Sequence, residues 1–418
     1  MYKNIILKQK LEKERLVSLP YVDRDKKTEA DKWLKTDLIK VVLGPRRAGK
    51  SAFIFTLLSQ KPFIYFNFDD EQLDYLRLDH DLFMQQLKSI YGEAPFVFFD
   101  EIQNLPNWEL FVNRLHRAGY NLILTGSNAH LLSGELATAL TGRHIPIEIM
   151  PFSFSEFLRA KQYQNSDSLL LLSYLDQFMT QGGYPEIVIK NFDLPEYLST
   201  LFDSILFKDI VKRHKIRFAP QLDMLSSYLI NQVSCLYSLR KITRALRFKS
   251  SITIEKYLQY LIDSYLIFSL SRYSYKSSSR LVSPRKIYAV DNGFITAKAI
   301  AHSPNLGVLF ENLVFLELIK SGLSPHRDLF YYQTRNGREI DFIIKKNNVI
   351  TNLIQVAYSL IDSDVEKREV KALAEAGEEL NCKDLTIITW NEEKNIVYKN
   401  FPIKIIPFWH WLKNEKNQ

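Results

Sequence analysis

An α/β fold with a parallel sheet is predicted by three short apolar runs, residues 38–43, 95–101 and 121–124, the first leading into a glycine loop, the second ending in two acids and the third followed by small polar residues. Such runs lack the alternation of a half-exposed strand and suit strands buried on both faces. The first leads into Gly44-Pro45-Arg46-Arg47-Ala48-Gly49-Lys50-Ser51, a complete G-x-x-x-x-G-K-[ST] loop, and residues 52–58 then suit a helix.

That loop is a phosphate cradle. Gly44 and Gly49 let the backbone aim N–H groups at phosphate oxygens, Lys50 supplies a point charge for the β- and γ-phosphates, and Ser51 offers a hydroxyl to Mg²⁺. The following helix would turn its N-terminal dipole toward the nucleotide, so residues 44 to 51 form the candidate ATP-binding set. A glycine-punctuated turn that fits the pattern by chance is the alternative, and the flanking strand and helix speak against it. The second run, PFVFFDE, delivers Asp100 and Glu101 to the carboxyl edge of the sheet. Asp100 can hold Mg²⁺ through water, and Glu101 can deprotonate the attacking water. Nucleotide binding alone needs the first acid and not the second, so the pair predicts hydrolysis. The third run ends in Thr125-Gly126-Ser127-Asn128. Ser127 or Asn128 can touch the γ-phosphate or cap the next helix, and the two roles are compatible. Arg143 follows a helix-like stretch and precedes a strand-like one, 145–150. It is a candidate transition-state cation for its own site or a neighbouring subunit's, unless it only pairs with surface acids; Arg46 and Arg47 are alternative sources of that charge.

A further strand candidate, 63–68, lies between the loop and the acid pair. With it, the chain resembles the AAA+ ATPases, and more narrowly a bacterial and archaeal ATPase family. The shared motifs are GPRRxGK[ST], DEIQ (100–103), TGSN (125–128), GR (142–143), PFSFSEF (151–157) and GGYPE (182–186). The resemblance implies a P-loop AAA+ core over 36–160 after an N-terminal helical extension (1–35), a helical lid over 161–218, and a restriction-endonuclease-like α/β domain of the PD-(D/E)xK type over 304–404.

Composition agrees with a globular protein. A chain of 418 residues, 46% hydrophobic and 24% charged, is long enough for two or three domains. No apolar run approaches the roughly 18 residues of a membrane helix, and the charged N-terminus does not suit a signal peptide. Cys235 and Cys382 lie far apart without metal-ligand spacing, so a reducing cytoplasm is expected and structural zinc is not.

The net charge of +8 is concentrated. Residues 205–290 hold sixteen basic residues against four acidic ones, the footprint of a polyanion binder. Within them, amphipathic stretches at 222–231 and 239–246 precede a third helix on which Ile254, Tyr257, Leu258, Leu261 and Ile262 fall at core spacing. Two β-rich runs follow, 266–273 and 286–291, joined by a serine-rich basic loop. This is the layout of a winged-helix domain over 219–291, with Arg240, Lys241, Arg244, Arg247, Lys249 and Lys256 as candidate nucleic-acid contacts and DNA as the expected partner. Glu255 and Asp263, expected on the exposed face of the third helix, keep docking of a protein partner open, as does a homo-oligomer.

In the C-terminal domain the resemblance aligns Glu311 with a helix acid, Asp341 with a strand acid and Gln355 with the first member of an E-x-K pair. The chain departs from that pattern: Gln355-Val356-Ala357 lacks both the acid and the lysine. Lys345 shares a strand face with Asp341 but lies roughly 13 Å along it; Glu339 is a spare ligand or a surface charge. An inactive nuclease-like domain is expected. The leading expectation is therefore a Mg-ATP-driven switch or motor acting on nucleic acid, followed by a protein-binding scaffold with slow turnover and an ATP-gated nuclease.

Overall fold

The computed structural model describes residues 2–73, 79–127, 140, 142–164, 167–190, 194–276, 283–299 and 305–415. The chain divides into two compact units: Met1–Leu171 with Gly183–Phe192 and Asp263–Tyr265, and Leu172–Gly182 with Asp193–Ile262 and Leu266–Gln418.

The first unit is built on five parallel strands, β1 (Ile39–Leu43), β2 (Phe63–Asn67), β3 (Phe96–Asp100), β4 (Asn121–Gly126) and β5 (His144–Glu148), in the order β2-β3-β4-β1-β5. All five residues of β1 are buried, as its unalternating sequence requires. One face packs against Lys3–Val17, His80–Tyr91 and Trp108–Arg117 through Ile6, Phe83, Phe99 and Phe111. The other is covered by Lys27–Leu34 and Lys50–Leu58 through Ala30, Ile54 and Leu58. The edge strand β2 is blunted by Gln9, whose side-chain amide both accepts from the Asn67 N–H (2.8 Å) and donates to its carbonyl (3.1 Å).

In the second unit, helices Ala219–Ile230, Leu239–Ala245 and Ser251–Asp263 accompany an antiparallel sheet of β6 (Leu236–Tyr237), β7 (Ile267–Leu270) and β8 (Arg285–Ala289), ordered β6-β8-β7. Ile254, Tyr257, Leu258 and Leu261 are buried on the third helix, as their spacing predicts. Asp263 is buried, at 8% exposure, so it does not share the exposed face with Glu255; in the last turn Leu261 is buried while Tyr260 and Ile262 are half-buried. A six-stranded mixed sheet follows, with β9 (Leu329–Gln333), β10 (Glu339–Lys346), β11 (Val349–Ala357), β12 (Leu385–Thr389), β13 (Lys394–Tyr398) and β14 (Phe401–Pro407) in the order β13-β14-β12-β11-β10-β9. Its faces are covered by Leu306–Lys320 and Ser363–Leu380. The segment expected to be a lid contains helices Ser168–Gln181, Pro185–Lys190 and Leu194–Ser204 and a π-helical run, Ile205–Lys212.

Candidate functional site

The phosphate loop leaves β1 at its carboxyl end. A Cβ on Gly44, where φ is 147°, would stand 1.9 Å from the Ile149 carbonyl oxygen, so only glycine fits. Gly49, at φ 90°, opens helix Lys50–Leu58. The buried Lys50 ammonium donates to the Gly44 and Pro45 carbonyls, each at 3.0 Å, which places it over the loop. Arg46 lies 3.7 Å from Asp69 and Arg47 3.4 Å from Glu186, within the GGYPE motif. Ala48, the remaining loop residue, is buried.

Strand β4 separates β1 from β3 and joins their ends chemically. Ser51 Oγ donates to Asp100 Oδ1 at 3.0 Å. The fully buried Thr125 donates its hydroxyl to the same Asp100 oxygen and accepts the Glu101 N–H at 2.9 Å. Burial, reinforced by the neighbouring Glu101 carboxylate, pushes the Asp100 carboxyl up to about 6. Glu101 stands at φ 52° and accepts a hydrogen bond from Gln103 Nε2. Ser127, just past β4, is buried, and its hydroxyl has no hydrogen-bond partner among the described residues. Asn128 and the helix-like stretch through 139 lie outside the described residues.

Two residues change standing. Arg24 was not legible as functional, yet its buried guanidinium donates to the loop carbonyl of Ala48 at 2.9 Å and to that of Met150, and pairs with Glu156 at 3.0 Å. Glu156 also closes a capping box with Ser153. Arg143 is exposed, and its carbonyl accepts from the N–H of Ile39 at the amino end of β1. The loop leaves the opposite end, four residues or roughly 13 Å of strand away. An extended arginine side chain is shorter than that, so the register does not bring Arg143 to the loop of its own chain.

Among the basic candidates, Arg240, Arg244, Arg247 and Lys249 line a concavity of about 680 Å³ with Leu239, Thr243, Phe248 and Ser251. Lys241 and Lys256 are also exposed. Arg280 lies outside the described residues. Lys286, counted with the surface charge on sequence grounds, is only 1% exposed.

Its partners are the C-terminal acids. Lys286 Nζ lies 2.9 Å from Glu311 Oε1, 2.9 Å from Asp341 Oδ1 and 2.7 Å from Glu339 Oε1. Hence the expectation that no lysine completes this cluster is corrected: the cation arrives from β8 and not from β11 or Lys345. Burial pulls the Lys286 ammonium down, but Asp341 and Glu311 hold it well above its ordinary range. Burial lifts the Glu311 carboxyl to about 7 against the pull of Lys286, and Tyr288 donates to it at 2.7 Å. Gln355 accepts the Asp341 N–H at 3.2 Å and donates to Glu369 at 2.6 Å. Glu339 is thus a ligand of the lysine.

A model of the AAA domain family matches residues 36–158, the segment that carries the loop, the five strands and both acids. Domains of unknown function match 172–304 (DUF8612) and 306–411 (DUF4143). Together with the strand order and the loop, the first match defines residues 36–158 as an AAA-type P-loop domain. The chain is 38% identical over 398 residues to the uncharacterized protein MJ1544 of Methanocaldococcus jannaschii, covering 89% of this chain and 88% of that one. It is 32% identical over 348 residues to an uncharacterized protein of Haemophilus influenzae, covering 79% and 85%. It belongs to the family of these two proteins. Among solved structures it is similar to the Walker-type ATPase PABY2304 of Pyrococcus abyssi (TM-score 0.45, 16% identity, 68% of this chain and 100% of that one). The replication initiator DnaA bound to AMPPCP and single-stranded DNA is a second likeness (TM-score 0.31, 14% identity, 58% and 90%). No described helix is long and apolar enough to cross a membrane.

Proposed function

We propose that the chain hydrolyses ATP and uses the cycle to act on nucleic acid, DNA foremost. The observation that carries the first half is the meeting of Ser51 and Asp100 at 3.0 Å beside the buried Lys50. The loop N–H groups and Lys50 hold the phosphates, while Ser51 and Asp100 suit a hard divalent cation. Mg²⁺, when bound, neutralises phosphate charge. Glu101 takes a proton from water as the water oxygen attacks the γ-phosphorus, and the bridging oxygen leaves with ADP. Thr125 keeps the two acids in register, and the buried Ser127 hydroxyl is a donor for the γ-phosphate or its water. Arg143 can serve only a neighbouring copy, through a homo-oligomer.

The nucleic-acid half rests on the concavity lined by Arg240, Arg244, Arg247 and Lys249. It lies in an arrangement of three helices and a β6-β8-β7 sheet that supports a winged-helix reading of 219–291. The six-stranded domain is read as a nuclease fold that has lost cleavage. Turnover of the purified chain, with and without duplex DNA, tests both halves. Glu101→Gln should retain nucleotide binding and lose turnover by about two orders of magnitude or more. DNA should raise the parent rate; a rate indifferent to DNA would favour protein partners, and parent-like turnover by Glu101→Gln would remove the assigned base.

A further inference from the structure

We propose that Glu186, the acid of the GGYPE segment, competes with the nucleotide's phosphates for Arg47 of the phosphate loop, and so sets how tightly the loop holds ATP; this rests on the ATP-binding reading above.

Two arginine–glutamate pairs flank the loop, and they differ in kind. Arg24 and Glu156 meet at 3.0 Å with side chains 7% and 6% exposed, a buried tie. Arg47 and Glu186 are 58% and 26% exposed, and one guanidinium nitrogen donates to both carboxylate oxygens at 3.4 Å. Tight bonds from a cationic N–H to an anionic oxygen close to about 2.7–2.9 Å, so this contact is loose. Each member also has a second partner of the right sign. Lys190, one turn along helix Pro185–Lys190, lies 3.3 Å from Glu186 Oε1 and keeps the carboxylate paired after Arg47 leaves. Arg47 sits three residues before Lys50 on the backbone that wraps the phosphates, and a planar guanidinium matches phosphate oxygens with two parallel N–H groups. Exposed side chains change rotamer within nanoseconds, so the exchange needs no movement of the loop.

Glu186 is held in place on both sides in sequence. Pro185 Cγ is 3.7 Å from the point where a Cβ on Gly49 would stand, the Gly183 carbonyl accepts the Phe152 N–H at 2.7 Å, and Lys161 donates to the Val188 carbonyl at 3.0 Å. A carboxylate kept beside the loop opposes the triphosphate twice. It masks Arg47 before binding, and it remains a negative charge near the phosphates afterwards.

The test is equilibrium binding of a fluorescent ATP analogue with Mg²⁺ to the full chain at low salt, read by anisotropy, for the parent, Glu186→Gln, Arg47→Gln and the double variant. Glu186→Gln should bind about three- to tenfold more tightly than the parent, and the gain should shrink as salt rises, because the pair is exposed. Arg47→Gln should bind more weakly than the parent. In that background Glu186→Gln should still help by removing a charge, but by a factor about two- to fivefold smaller, the worth of an exposed ion pair. Equal gains in the two backgrounds would overturn the competition and leave Glu186 a bystander charge. Weaker binding by Glu186→Gln, or parent-like binding by Arg47→Gln, would overturn it as well. Lys50→Ala controls for the site: parent binding that survives this change would refute the ATP-binding reading itself, and the proposal with it, a result distinct from the others.

Discussion

Replacing Arg24 by Met keeps much of the side-chain stem and removes the guanidinium, along with its 5.0 Å cation–π contact over the Phe152 ring. Three further interactions go with it: the 3.0 Å pair with Glu156, the 2.9 Å bond to the Ala48 carbonyl and the bond to the Met150 carbonyl. Hydrogen bonds from a charged donor contribute about 1.5–3 kcal/mol each, and breaking a buried ion pair by removing one partner destabilises by about 3–5 kcal/mol. These terms share one group and do not add; about 4 kcal/mol is the expected loss, near a thousandfold in the folded-to-unfolded ratio. Glu156 keeps the Asp25 and Ser153 N–H groups, at 2.8 and 3.0 Å, which holds the loss below the sum. Hydrogen exchange of peptides from β1 and β4 across a urea series, read by mass spectrometry, reports this unit separately. Adding Glu156→Gln should restore about 1–2 kcal/mol, because the stranded charge is gone. A loss under about 1 kcal/mol, or identical single and double variants, would refute the argument that this pair is an energetic tie across the loop.

Gly44→Ala should abolish binding of a fluorescent ATP analogue while β2 and β3 stay folded, since the added methyl meets the Ile149 carbonyl; parent-like affinity would contradict the cradle geometry. Burial pushes the Asp100 carboxyl up to about 6 from an ordinary 3.8, so its ionised form is disfavoured by folding, and the penalty is fully present above pH 6 and relieved as pH falls toward 4. Relative to Asp100→Asn, the parent should gain up to about 3 kcal/mol between pH 7 and pH 4, while Mg-ATP binding weakens below pH 6; parallel stability profiles would exclude the shift. Replacing Arg240, Arg244 and Arg247 together by Glu should weaken DNA binding and lower the slope of log affinity against log salt by about three, with an unchanged slope counting against phosphate contact.

The parts of the molecule legible in the sequence are those whose signal is contiguous. Strands β1 to β4 lie where short, largely apolar runs place them, because burial on both faces leaves little room for alternation. The phosphate loop is one eight-residue string. Arg24 escaped because two of its partners are backbone carbonyls, which any residue supplies. Lys286 read as surface charge because its acids lie 25 and 55 residues away, and only the fold brings them to it. The place of Arg143 was hidden for a different reason: the parallel register Ile39↔His144 that sets it at the amino end of β1 is a pairing between strands far apart in the chain. A residue just before a parallel strand lies at the opposite end from one just after its neighbour.

Ser51 and Asp100 are 49 residues apart in the chain and one strand apart in space. Their meeting is held by the ladders on either side of β4, not by the connection that runs between them through β2. Evolution can therefore lengthen, shorten or decorate that connection without disturbing the two groups, since loop-closure entropy grows only slowly with length. Drift in the excursion and constancy at its two anchors are the pattern such a scaffold permits, and an inserted reporter domain would exploit the same freedom.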